Sequence, residues 1–352
     1  MKIMTIVGAR PQFIKAAVVS RAFEEHRPDV QEIIVHTGQH YDANMSDVFF
    51  DELDIPRPDY NLGIGGGNHG QNTGRMMEKL ESLMMDIQPD WVLVYGDTDS
   101  TLAGALTAAK LQMPVAHVEA GLRSFNRRMP EEINRVLTDH IADILFAPTE
   151  TGRKNLLKEG IAEGKVKLVG DVMYDASLLY NEKARKPKLP VALDIHGGDF
   201  VLCTIHRAEN TDDPQRLKNI FQGLGASGAQ VILPMHPRTS AKVRDLGINI
   251  PENVWVIDPV GYLEMVWLEA NCRCVATDSG GVQKEAYFFE KPCITMRNET
   301  EWVELVEAGW NVLVGANSEK IVTAVHNCAK SNVIELLYGK GDAGQEIVDA
   351  LC

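Results

Sequence analysis

Short unbroken apolar runs alternate along this chain with segments whose apolar positions recur every three or four residues. Lys2–Val7 (KIMTIV) reads as a buried strand, residues 8–11 as a turn, and residues 12–23 as a helix with Ile14, Val18, Val19 and Phe23 near one side. Further strands are expected at residues 32–36, Trp91–Tyr95, Val115–Val118, Ile144–Ala147 and residues 167–169. An Ala-rich helix is expected near residues 102–111. Another is expected over residues 131–140 behind Pro130, a residue that suits a first helical turn. Residues 181–198 break the rhythm with Lys183, Arg185, Lys186, Pro187, Lys188 and Pro190, then Gly197 and Gly198. The alternation resumes with strands at residues 200–205 and 230–234, Val254–Ile257, Cys274–Thr277, Cys293–Thr295 and residues 312–314, and helices at residues 262–270 and 281–289.

Continuous apolar strands alternating with helices predict an α/β protein with mostly parallel sheets covered on both faces. The break divides it into an N-terminal Rossmann-like domain (1–180), a linker (181–198) and a C-terminal Rossmann-like domain (199–335). A final segment (336–352) carries a short helix, expected to pack back on the first domain.

Composition narrows the function. With 352 residues, 45% hydrophobic and 24% charged, the chain is ordinary for a globular protein, but its formal charge is −14. That balance argues against general nucleic-acid binding, which needs a basic face. Six cysteines lack any CxxC pair. Cys272 and Cys274, if both in a strand, would share a face, with no second pair to complete a zinc site. Buried thiols in a reducing compartment are expected. The run before Gly8 and Arg10 is too short for a signal peptide, and no stretch approaches the ~20 apolar residues of a membrane span. The expectation is a cytoplasmic protein without a membrane partner.

In open parallel sheets ligands bind beyond the carboxyl ends of the strands, so polar residues directly after predicted strands are the candidates. The first half supplies Arg10, His36, Gln39, His40, Asp97, Glu119 and Arg123. The second supplies His206, Arg207, Glu209, His236, Arg238, Asp278, Ser279, Arg297, Thr300 and Glu301. This collection suggests a charged interdomain cleft. Gly8-Ala9-Arg10-Pro11 lacks the glycines of a dinucleotide fingerprint and no GxxxxGK[ST] occurs. Arg10 near a helix start suits a phosphate or carboxylate. Residues 278–281 (DSGG) lie between strand and helix, where backbone N–H groups hold an anion, and Glu285 a turn further on suits a diol. Residues 63–70 (GIGGGNHG) read as a phosphate cradle, a surface loop or a mobile loop, and no apolar strand runs directly into them. Asp97, Glu119 and Glu131, from three connections of one domain, suggest proton transfer. Metal binding with His36, His40 and His117 is the rival reading, without an HExxH or Asp-rich signature.

Together these segments resemble the non-hydrolysing UDP-N-acetylglucosamine 2-epimerase family. The matching motifs are VGARPQFIK (7–15), HTGQH (36–40), YGDTDSTLAG (95–104), HVEAGLRS (117–124), PEEINR (130–135), APTE (147–150), HRAEN (206–210) and TDSGGVQKEA (277–286). The resemblance implies a GT-B-like pair of Rossmann-like domains facing a central cleft, usually as a homodimer. It implies reversible inversion at C2 of a UDP-2-acetamido sugar through elimination and re-addition of UDP, with no nicotinamide and no metal. It assigns acid/base roles to Asp97, Glu119 and Glu131, and elimination to His206. Diphosphate contacts fall to Arg10, Ser279 and Gly280, the ribose carboxylate to Glu285, and substrate contacts to Lys15 and His236. Gln39, His40 and Arg75 match part of a region where family members bind a second UDP-sugar, though the residues after His40 depart from the usual pattern. Residues 298–304 (NETEWVE), which include Glu301 and follow Arg297, depart from the common run, and HTGQHYDANMSDVFF (36–50), GIGGGNHGQNTGRM (63–76) and TEWVE (300–304) look like the subgroup that includes UDP-2,3-diacetamido-2,3-dideoxyglucuronate 2-epimerases. Three rivals stay open: a hydrolysing relative, a GT-B glycosyltransferase and a non-catalytic nucleotide-sugar sensor.

Overall fold

In a computed structural model of the chain, the described residues are 1–39, 47–190, 193, 195, 198–331 and 336–352, with residues 47–49 described through their backbone. They form two compact units, Met1–Ala176 with Leu336–Cys352, and Ser177–Glu335.

The first unit is built on seven strands: β1 (Lys2–Val7), β2 (Gln31–His36), β3 (Tyr60–Asn61), β4 (Trp91–Tyr95), β5 (Val115–Val118), β6 (Ile144–Ala147) and β7 (Val166–Leu168). They pair in parallel in the order β3-β2-β1-β4-β5-β6-β7. Its helices are α1 (Arg10–His26), α2 (Asp47–Leu53), α3 (His69–Ile87), α4 (Asp99–Lys110), α5 (Pro130–Ile141) and α6 (Glu150–Lys158). Then α7 (Val172–Asn181) carries the chain across the division. β1 buries every residue from Ile3 to Val7, and β4 every residue from Val92 to Tyr95. A strand buried without alternation is one covered by helices on both faces.

The second unit repeats the plan with β8 (Val201–Thr204), β9 (Val231–Pro234), β10 (Val254–Ile257), β11 (Cys274–Thr277), β12 (Cys293–Thr295) and β13 (Asn311–Leu313), ordered β10-β9-β8-β11-β12-β13 and again parallel. Its helices are α8 (Ala208–Thr211), α9 (Pro214–Ala226), α10 (Pro237–Asp245), α11 (Tyr262–Asn271), α12 (Gly280–Phe288), α13 (Val303–Glu307) and α14 (Ser318–His326). The last helix, α15 (Ala343–Leu351), belongs to the first unit and packs on α1. Gly344 is needed there, because a Cβ would stand 3.0 Å from Val18 Cγ1, and its N–H donates to Asp175 Oδ2 at 2.8 Å.

Three local features refine the expectations. No apolar strand runs into the Gly-rich run, but a short edge strand precedes it: β3 pairs its two exposed residues with Val35 and His36. The run then leads into the long helix α3, with Asn68 as its N-cap. Helix α4 starts at Asp99, ahead of the apolar positions, because the Thr98 side chain caps it by accepting from Thr101 N–H. Cys272 and Cys274 do not share a strand, since Cys272 ends α11 and Cys274 opens β11.

One carboxyl in this core is electrostatically costly. Glu32 on β2 accepts from Thr5 Oγ1 at 2.5 Å, and burial pushes its pKa from the ordinary 4.5 up to about 7. The native protein therefore binds this proton more tightly than the unfolded chain does. The contribution is fully present below about pH 4.5 and is lost as the pH climbs through 7. Urea unfolding at pH 5 and pH 8 should show the wild type losing on the order of 1–2 kcal/mol more than Glu32→Gln across that interval. Equal losses would clear Glu32 of this role.

Candidate active site

Both sheets reverse strand order once, between β1 and β4 in the first unit and between β8 and β11 in the second. In doubly wound sheets the ligand crevice opens beyond the carboxyl ends at this point, and the polar residues gather there.

In the first unit the turn after β1 is pressed against α4. A Cβ on Gly8 would collide with Ser100 Oγ, so only glycine fits. Gln12, buried on α1, accepts from Gly8 N–H (2.8 Å) and Ala9 N–H (3.0 Å) and donates to the Tyr95 carbonyl (2.6 Å), tying the ends of β1 and β4 together. Arg10 opens α1 directly after this turn. Beyond β4, Gly96 takes a left-handed φ of 62°, and Asp97 follows it. The Asp97 carboxylate pairs with Arg135 at 2.6 Å, and its carbonyl accepts from Asn134 Nδ2 at 2.9 Å.

Glu119, after β5, also has a left-handed φ, 72°, without being glycine. Its carboxylate forms an ion pair with Lys15 of α1 and lies beside Gly96, where a Cβ would be 3.4 Å from Glu119 Oε2. Such backbone strain at a residue whose side chain is held against a cation is a common mark of a functional position. Glu131 sits exposed at the second position of α5. Its neighbour Glu132 turns inward: it accepts from Ser124 N–H and Phe125 N–H (both 2.9 Å) and pairs with Arg135 at 3.0 Å. Burial alone would raise the Glu132 pKa, but these donors hold it below the usual carboxylate range.

The other first-unit candidates have structural anchors. Gln39 Oε1 accepts from Ser100 N–H (2.9 Å) and Oγ (2.6 Å) at the start of α4. His40 lies outside the described residues, and Arg75 is exposed on α3. His36 is buried edge-to-face against Phe13 at 5.1 Å, and burial lowers its pKa. His117 is fully buried with Nδ1 on Asp139 (2.7 Å) and Nε2 on the Gly96 carbonyl (2.8 Å), so neither nitrogen faces a metal position. Among the described residues no group of His, Cys, Asp and Glu is arranged to hold a metal ion. The Gly-rich run contributes a residue the sequence reading did not single out: His69 pairs through Nδ1 with Asp99 Oδ2 at 2.8 Å.

In the second unit Asp278, wholly buried after β11, collects donors from the end of β8. His206 N–H, Arg207 N–H and Asn210 Nδ2 reach it at 3.0–3.2 Å, and His206 Nδ1 lies 3.0 Å from Oδ1. Burial opposes charge on Asp278, but His206 and Asn210 keep its pKa below the usual range. The His206 side chain is 51% exposed, so the pair aims a half-exposed imidazole outward. Ser279 caps α12 and Gly280 begins it. A Cβ on Gly280 would meet Glu301 and lie 3.7 Å from Arg207 Nη2, while Arg297 pairs with Glu301 at 2.7 Å. Two guanidinium groups thus flank the Glu301 carboxylate beside a helix N-terminus. Burial opposes charge there, but Arg297 and Arg207 hold the Glu301 pKa below the usual carboxylate range. Trp302 Nε1 donates to the Gly280 carbonyl at 2.8 Å and fixes that turn. Glu285 is partly exposed on α12. Near it, burial and the Glu285 charge push the pKa of Glu269 well above the ordinary value. His236 caps α10, its Nδ1 accepting from Arg238 N–H at 3.2 Å.

Each unit therefore has chemistry of its own: carboxylates paired with cations in the first, and an oriented imidazole beside a helix start in the second. Sequence reasoning did not single out Gln12, Arg135, Glu132, Asp139 or Asn210. The available signal was that a polar residue predicted inside a helix next to a strand end has backbone groups to satisfy.

Comparison with known proteins points one way. The sequence profile described as UDP-N-acetylglucosamine 2-epimerase matches residues 22–352. A Pseudomonas aeruginosa UDP-2,3-diacetamido-2,3-dideoxy-D-glucuronate 2-epimerase is 55% identical over all of this chain and 99% of its own. A Methanococcus maripaludis UDP-N-acetylglucosamine 2-epimerase homolog is 52% identical over the same shares. The crystal structure of Methanocaldococcus jannaschii UDP-GlcNAc 2-epimerase in complex with UDP-GlcNAc and UDP superposes with a TM-score of 0.84 at 44% identity, covering 100% of this chain and 99% of that one.

The strain at Glu119 can be measured. Glu119→Gly and Glu119→Ala both delete the carboxylate and leave Lys15 without it, but only glycine relaxes at a left-handed φ. The glycine variant should be the more stable by ~1 kcal/mol in chemical denaturation, the left-handed cost outweighing the extra freedom of its unfolded chain. An alanine variant of equal or greater stability would remove the strain argument.

Proposed function

The chain belongs to the UDP-N-acetylglucosamine 2-epimerase family, and from that premise we propose how its residues divide the reaction. It is an isomerase, a non-hydrolysing 2-epimerase that interconverts UDP-GlcNAc and its C2 epimer reversibly. The C2–H bond of such a sugar is not acidified by a neighbouring ketone, so proton removal has to accompany departure of the diphosphate. A carboxylate takes the C2 proton, the C1–O bond breaks with its electron pair leaving on UDP, and a C1=C2 double bond forms. UDP oxygen then re-adds to C1 and C2 receives a proton on the opposite face. Every atom returns, so no co-reactant is consumed.

In this reading Asp97, Glu119 and Glu131 of the first unit exchange the proton. The observation that carries it is that Asp97 and Glu119, at the ends of adjacent strands, are each held against a cation, Arg135 and Lys15. His206, oriented by Asp278, assists departure of UDP. Ser279, Gly280 and Arg207 at the start of α12, with Arg10, contact the diphosphate. Glu285 accepts the ribose hydroxyls, and His236 lines the same end of the second sheet. Gln39, His40 and Arg75 are kept as the region for a second sugar nucleotide. We also carry forward a homodimer and a cytoplasmic location. No helix among the described residues is long and apolar enough to cross a membrane.

A second reading of the sugar is favoured by the full-length 55% identity to the diacetamidoglucuronate enzyme and by residues 298–304, which place Trp302 on Gly280. Proton NMR in deuterium oxide with each UDP-sugar separates them. UDP-GlcNAc should yield UDP-ManNAc with deuterium at C2. Turnover of the uronate sugar alone would move the substrate and keep the chemistry. Free sugar rising with UDP would identify a hydrolase, and acceptor-dependent transfer a glycosyltransferase. Asp97→Asn, Glu119→Gln and Glu131→Gln should each lower kcat by roughly 100-fold or more. Wild-type turnover in all three would remove the proton-transfer assignment.

A further inference from the structure

Two of the carboxylates assigned to proton transfer, Asp97 and Glu119, lie on turns after strands, and turns hold geometry only if something rigid fixes them. Behind them is a buried polar cluster that the reaction does not consume. His117 and Asp139 are each fully enclosed, with side chains 0% exposed. Asp139 Oδ1 faces His117 Nδ1 at 2.7 Å, and Asp139 Oδ2 accepts from Gly121 N–H at 3.1 Å. His117 Nε2 lies 2.8 Å from the Gly96 carbonyl. Arg123 closes the cluster, pairing with Asp139 at 2.7 Å and bidentately with Glu159 at 2.8 Å. Burial alone would raise the pKa of Asp139, yet His117 and Arg123 hold it below its ordinary value.

The two backbone groups captured are not ordinary ones. Gly96 immediately precedes Asp97, and Gly121 follows Glu119 by two residues. Both glycines are left-handed (φ 62° and 83°), and Glu119 between them in rank is left-handed as well. The same helix α5 that supplies Asp139 also supplies Asn134 to the Asp97 carbonyl and Arg135 to the Asp97 carboxylate, and it carries Glu131 at its start. One helix and one imidazole therefore hold the backbone at Gly96, Asp97 and Gly121, pair the Asp97 carboxylate, and carry Glu131.

We propose that His117 and Asp139 form a positioning pair that locks the Gly96–Asp97 and Glu119–Gly121 turns into register for proton transfer at C2. The pair touches no substrate, so it governs the rate of the chemical step while leaving alone the nucleotide binding assigned above to Arg10 and the start of α12. The inference rests on the epimerase reading. A displacement of the order of 1 Å at a reacting group costs about 100-fold in rate, and that sets the expected scale.

The test measures kcat and KM for C2 epimerisation, the affinity for UDP, and the thermal melt of His117→Gln, His117→Ala, Asp139→Asn and wild type. Asp139→Asn keeps an acceptor for Gly121 N–H, and His117→Gln keeps a donor for the Gly96 carbonyl. We expect kcat to fall 30- to 100-fold (about) in Asp139→Asn with KM and UDP affinity within about threefold of wild type. His117→Gln should retain more activity than His117→Ala. Folded variants with kcat within threefold of wild type would overturn the proposal. So would variants that lose UDP binding or a cooperative melt together with turnover, because the pair would then serve stability at large. Wild-type protein inactive on both UDP-sugars would instead remove the epimerase reading, and this inference with it.

Discussion

A parallel strand that ends leaves backbone donors and acceptors facing the next loop, not another strand, and when these are buried each must find a partner. In this protein buried side chains from distant elements meet that demand. Gln12 serves the ends of β1 and β4, Asp278 serves the amides after β8, and His117 with Asp139 serves the turns after β4 and β5. The carboxyl ends are also where doubly wound sheets bind ligands. The side chains that satisfy the backbone are therefore the ones that orient Asp97, Glu119 and His206, and stability and site geometry are one problem here.

Burial then decides what one pairing does. Among the described residues, His117, His69 and His206 each meet an aspartate through Nδ1, at 2.7, 2.8 and 3.0 Å. Enclosed completely, the pair around His117 is a brace. Half exposed over a buried Asp278, the pair around His206 presents an oriented imidazole at the surface of its unit. The two adjacent glutamates of α5 divide in the same way. A rotation of about 100° per residue sends Glu132 inward, onto Ser124, Phe125 and Arg135, and leaves Glu131 exposed.

Much of this is legible in the chain, for a local reason. Unbroken apolar runs such as those at β1, β4 and β11 mark strands buried on both faces, and the polar residue just after each run lands at the ligand end of the sheet. That rule brings Arg10, Asp97, Glu119, His206 and Ser279 to strand ends. The same rule also collects His36, which is buried against Phe13. It passes over β3, whose two exposed edge residues have no apolar pattern. Gln12 reads as an ordinary helix residue and Asn210 as one letter of a motif, because partners of theirs stand 83 and 68 positions away.

The amino-acid sequence by itself determined the alternation of strand and helix, the two α/β halves, the acidic balance that argues against nucleic acid, and the residue types after each strand, along with the motifs of the epimerase family. These depend on periodicity and local composition, which extend over a few residues. Only the tertiary structure decided which charges meet: Lys15 with Glu119 across 104 positions, Arg135 with Asp97 across 38, His206 with Asp278 across 72. Such pairings are set by strand order and helix packing. Neighbours in a parallel sheet are separated in the chain by whole crossovers, so linear spacing carries no record of the contact.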